Sequence, residues 1–92
     1  MDRRSRILEK FFERIDLLGE VVPGQPLVEL SGDGRVLIEN HQGVIEYSHD
    51  RVAVLVNYGK VIIVGYGLEL VRMCKDQLII LGRIVSITLC RR

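Results

Sequence analysis

Ninety-two residues hold one hydrophobic core, because a chain this short buries too little surface to stabilise two. A formal charge of +1 argues against a nucleic-acid binder, whose affinity comes from phosphate neutralisation by a marked excess of lysine and arginine. Hydrophobic residues make up 48% of the chain with few aromatics and no tryptophan, so Val, Ile and Leu carry the apolar content, and the β-branched pair favours strands.

The N-terminal region, residues 1–19, reads as an amphipathic helix. Ile7, Leu8, Phe11, Phe12, Ile15 and Leu18 recur at spacings of three and four, which gathers them on one face. Gly19 is a natural stop. Met1–Glu9 is charged and no apolar leader core follows it, so cytosolic residence is the expectation. No apolar run approaches the roughly 20 residues needed to cross a bilayer. Under that reading Cys74 and Cys90 are reduced thiols. Residues 20–26 contain Pro23, Gly24 and Pro26 and read as a connector.

From Leu27 to Arg92 the chain reads as a β domain. Short apolar runs alternate with turn residues at the spacing of all-β folds. The predicted strands are Leu27–Leu30, Val36–Asn40, Val44–Ser48, Val52–Val56, Val61–Val64, Leu68–Arg72, Leu78–Leu81 and Ile84–Leu89. The intervals between them, among them Gly32-Asp33-Gly34, Asn57-Tyr58-Gly59 and Gly65-Tyr66-Gly67, offer residues that accept turn dihedrals at low cost. Connections this short suit antiparallel neighbours. The fold class is therefore mainly β, a compact antiparallel sandwich or roll, with a short β-solenoid as the alternative.

Val52–Val56, Val61–Val64 and Leu78–Leu81 are apolar at successive positions, and a strand apolar on both faces needs cover on both. One helix shields only part of one face. Surface left over marks a binding region, and Phe11, Phe12, Val54 and Ile62 are the residues assigned to it. A closed barrel with scattered outer Val and Ile is the plain alternative.

Chemistry is hard to find. His41 and His49, with Glu39, Glu46 and Asp50 near them, lack the close-set ligand pairs of structural zinc sites, and Cys74 and Cys90 stand apart. Ser31, Ser48, Ser86 and Thr88 sit in no nucleophile signature. Gly32-Asp33-Gly34 and Gly65-Tyr66-Gly67 precede no helix and so lack the N-terminal amides that hold phosphate. No enzyme, cofactor or metal is expected. The basic residues of the helix suggest a membrane anchor, but five positive charges meet four negative ones through residue 16. Packing on the chain's own sheet or on a partner is the competing reading. For Asn40-His41 the plain reading is a turn, with His41 bonded across the loop.

The stretch Ile38-Glu-Asn-His-Gln-Gly-Val-Ile-Glu-Tyr-Ser48 resembles the "IENHRGVVEFS" type of segment. Gly59–Gly65, Leu68–Leu70 and Leu78–Leu89 resemble the glycine and aliphatic spacing that follows it in the YabP/YqfC sporulation proteins. The likeness spans roughly residues 26 to 89, with Glu39, Asn40, His41 and Gly43 as its most specific part. Leu89 departs from the family, where an aromatic is common, as does Val52–Val56, which lacks alternating charges. The short chain with its N-terminal helix points to the YqfC branch. The resemblance implies a non-enzymatic scaffolding or assembly role in the mother cell, peripheral to a membrane, with a YqfD-like membrane-protein partner. Self-association into a homo-oligomer accompanies that reading, without nucleic acid. The alternative function is a small ligand- or metal-binding module using Glu39, Asn40, His41 and His49.

Overall fold

The computed structural model describes residues 25–92; the expected N-terminal helix, Phe11 and Phe12 with it, lies outside the described residues. Six strands form: β1 (Leu27–Ser31), β2 (Arg35–Glu39), β3 (Gly43–Tyr47), β4 (Arg51–Val56), β5 (Gly59–Met73) and β6 (Gln77–Arg91). They make one sheet in the order β1-β2-β6-β5-β4-β3, and every pairing is antiparallel. A solenoid stacks its strands coil on coil in parallel, so that alternative is overturned.

Eight short strands were expected and six are present, because two boundaries are not boundaries. Val61–Val64 and Leu68–Arg72 are one strand, β5, and Leu78–Leu81 and Ile84–Leu89 are one strand, β6. Gly65-Tyr66-Gly67 and Gly82 have the composition of turns, yet the β5–β6 ladder runs through them with register shifts at Val64/Gly65, Tyr66/Glu69 and Leu70/Arg72. Each shift adds an unpaired residue and bends the strand. Two glycines permit the bend. At Gly65 a Cβ would fall on the Arg83 carbonyl oxygen, and Gly67 takes a left-handed φ of 59°.

The bend is large enough to double β5 back on itself. Leu55 of β4 sits opposite Lys60, near the start of β5. Cys74 follows the end of β5. Both meet the same short segment: the Gln42 N–H donates to the Leu55 carbonyl at 2.7 Å, and His41 bonds the Cys74 carbonyl at 2.9 Å. At the other end the β3–β4 connection holds the bend, with the Leu68 N–H on the His49 carbonyl (2.8 Å) and the Gly65 N–H on the Asp50 carbonyl (3.1 Å).

One sheet thus becomes two facing leaves. Val36, Ile38, Leu78 and Ile80 come from the first leaf, Val52, Val54, Val56, Val61 and Ile63 from the second, and Leu68 from the bend. All are fully buried in a single cluster. Alternation within β4 and β5 selects the inward set, since every second side chain faces the same way.

Gly65→Ala should therefore cost roughly 2–4 kcal/mol, because the new methyl group overlaps backbone that has no free rotamer to yield. Gly34→Ala, whose Cβ would meet the Gly82 carbonyl at an ordinary 3.6 Å, should stay within about 1 kcal/mol. Urea denaturation of the two variants, followed by circular dichroism, checks the contrast.

Candidate functional site

The segment from Glu39 to Gly43 leaves β2 on one leaf and enters β3 on the other. Its geometry is specialised. Asn40 takes φ 61°, a left-handed conformation that asparagine tolerates better than most residues, and Gly43 takes φ 127°. The Asn40 N–H donates to the Asp76 carbonyl at 2.6 Å, and its side-chain Nδ2 donates to the Gln25 carbonyl at 2.8 Å. Four separated parts of the chain meet here: the lead into β1, the β2–β3 segment, the end of β4 and the β5–β6 turn.

His41 is the only buried polar side chain among the described residues, 8% exposed. The Gly43 N–H donates to Nδ1 at 3.0 Å, so Nδ1 carries no proton. Nε2, 2.9 Å from the Cys74 carbonyl, must then be the N–H donor. Both ring nitrogens are engaged with backbone, and neither has a lone pair free for a metal. Nor do the other candidate ligands converge. His41 and His49 lie at opposite ends of β3, whose five residues span about 17 Å. Cys74 and Cys90 lie near opposite ends of β6, and both are free thiols. Among the described residues no three of His, Cys, Asp and Glu group as metal ligands do.

The rest of the polar chemistry is local. Ser48 Oγ donates to Asp50 Oδ1 at 2.7 Å and accepts from the Arg51 N–H at 3.1 Å, which shapes the β3–β4 turn. Arg51 and Glu46 form an ion pair at 3.1 Å in which both side chains are about half in water, so it contributes little. Arg72 is fully exposed, and the neighbouring Cys74 side chain raises a pKa already far above any working pH. The Tyr47 hydroxyl accepts the Leu70 N–H at 3.0 Å, tying β3 to the second half of β5.

One residue of the assigned association surface, Val54, needs correction. Val54 is fully buried between the leaves and Ile62 is half-buried on the opposite face, so Val54 presents nothing to a partner. Two adjacent apolar runs do not say which face is inward; cross-strand neighbours do. Exposed apolar groups occur on every strand but β2 and β4, among them Leu30 on β1, Ile45 on β3, Tyr66, Val71 and Met73 on β5, and Val85 and Leu89 on β6. Val85 and Leu89 are 60% and 54% exposed. That segment was read only as a strand. Its signal was an uncharged run, Ile84 to Cys90, between Arg83 and Arg91.

With this geometry in view, comparison with known families matches residues 24–92 to the YabP family. The chain belongs to the YabP family. Its members are sporulation-related proteins, and the family is not known for enzymatic activity. The match is to the family as a whole and does not separate its branches. No curated protein and no solved structure matches the chain. No helix among the described residues is long and apolar enough to cross a membrane.

Within the motif, Asn40, His41 and Gly43 are thus a pin that holds the leaves in register. His41→Ala leaves the Gly43 N–H and the Cys74 carbonyl unpaired in a partly buried place, so it should cost about 1–3 kcal/mol. His49→Ala, at an exposed turn, should change stability by no more than about 0.5 kcal/mol. Chemical denaturation of the pair measures both.

Proposed function

We propose that this YabP-family chain, of the YqfC branch, is a non-enzymatic assembly component of the sporulation apparatus in the mother cell. It works at a membrane surface with an integral, YqfD-like protein as partner. The observation that carries the reading is the division of labour among its residues. His41, the buried polar side chain of the motif, is committed to backbone hydrogen bonds inside the fold, while valine and leucine side chains on β5 and β6 stay in water. A fold whose histidine holds its own loops, and whose apolar groups line open strands, is built to bind other polypeptides.

Immobilised full-length chain, presented with detergent-solubilised membranes of sporulating cells, should retain one integral membrane protein, identified by mass spectrometry. The same chain should float poorly with protein-free lipid vesicles. Retention of no membrane protein, or equal flotation with bare lipid, overturns the partner reading.

A further inference from the structure

The doubling back of β5 and β6 leaves part of β6 without a neighbour. β2 reaches only as far as Arg35 opposite Leu81, and the last main-chain bonds on that side are Gly82 N–H to the Gly34 carbonyl and Ile84 N–H to the Asp33 carbonyl. Beyond Ile84, among the described residues, β6 pairs on one side only, with β5. Val85 to Cys90, among the described residues, is then an open edge of Val, Ser, Ile, Thr, Leu and Cys with no charge, proline or glycine to blunt it; the one irregularity, the bulge at Val85, lies at its start and leaves Ser86 to Cys90 in regular register. Edges are normally protected by such devices, because a free row of N–H and C=O groups templates another strand.

The direction of those groups follows from the ladder. The Arg92 N–H donates to the Tyr58 carbonyl at 3.0 Å, and Cys90, Thr88 and Ser86 continue that register opposite Lys60, Ile62 and Val64. Antiparallel residues alternate between facing one neighbour and the other. Ser86, Thr88 and Cys90 therefore turn their main-chain groups to β5, and Ile87 and Leu89 turn theirs outward. The side chains of Ile87 and Leu89 lie on the core side of the leaf, beside Ile63 and Val61.

We infer that this edge pairs antiparallel with the same edge of a second copy, about a two-fold axis at Thr88. The inference deepens the assembly reading and rests on it. The sequence is complementary to itself in that register. Ile87 opposes the partner copy's Leu89 in hydrogen-bonded pairs, which adds about four main-chain hydrogen bonds. Thr88 opposes Thr88 on the outer face, a pairing that sheets favour, and Ser86 opposes Cys90. Arg91 falls opposite Val85, so no arginine meets another; its guanidinium already lies over the Tyr58 ring, 4.9 Å from the centroid. Centring the pair on Ile87 instead would set Arg83 against Arg91, a like-charge contact that costs stability. Contact through one strand from each copy is small, so the dimer is a weak one that forms as concentration rises.

Sedimentation velocity on the full-length chain, from micromolar to millimolar, should show a shift from monomer to dimer mass. Leu89→Lys should stay monomeric throughout with an unchanged circular dichroism spectrum. In a Cys74→Ser, Cys90→Ser background, Thr88→Cys should form a disulfide-linked dimer under mild oxidation. A monomer at millimolar concentration overturns the inference. So does a dimer that survives Leu89→Lys and resists cross-linking at position 88, since it would use another face. Capture of a membrane partner by a strictly monomeric chain would sink this edge and leave the assembly reading standing; a dimer that captures none does the reverse.

Discussion

Everything in this fold follows from one close approach of backbone to backbone, where β5 passes Arg83 at Gly65. With hydrogen in place of a side chain there, the long β5–β6 hairpin bends without losing its ladder. A straight hairpin would expose one apolar face along its whole length. Bent, it lays Val61 and Ile63 over Leu78 and Ile80 and makes a core from a single sheet. The effect is local in cause and global in result, because fifteen-residue strands carry the change of direction through both leaves.

Two features depend on that bend. The first is the closure at the Asn40–Gly43 segment, which bonds at once the end of β4, paired with the start of β5, and the turn that follows β5. A histidine suits the position, since one neutral ring supplies an acceptor to the Gly43 N–H and a donor to the Cys74 carbonyl. The second is the stretch of β6 that the bend carries beyond the reach of β2. Closure stabilises the monomer, and the open stretch offers it a partner. Both come from the same geometry, so a chain that folds this way also presents that edge.

Much of this was readable in the residues, and the failures have a common cause. The β-rich region and its antiparallel pairing follow from branching at Cβ, short intervals and turn chemistry, all of which act within a few residues; at Asn40-His41, where a turn is the plain reading, the chain instead crosses from one leaf to the other and Asn40 bonds the distant Gln25 carbonyl. Gly65-Tyr66-Gly67 misled because glycine serves a turn and a close approach equally well, and only Arg83, distant in sequence, distinguishes them. Val54 misled because an unbroken apolar run carries no record of which face is inward. His41 was readable as a loop hydrogen-bonder as well as a ligand, and what the residues do not announce is its distant main-chain partner, the Cys74 carbonyl. Leu89 was noticed for departing from an aromatic, and its importance as an edge residue needed the register of β6.

The central claim is that β5 folds back so that Cys74, just past its end, and Leu55 of β4, paired with its start, reach one loop. Nuclear Overhauser spectroscopy of the labelled chain tests it most directly. The account predicts contacts from the His41 ring to Cys74 and from the Gln42 amide to Leu55 within the same molecule, alongside β5–β6 cross-strand contacts on both sides of the bend, Tyr66 with Arg83 and Glu69 with Leu81. A β5–β6 ladder running straight, with either end remote from His41, would contradict it.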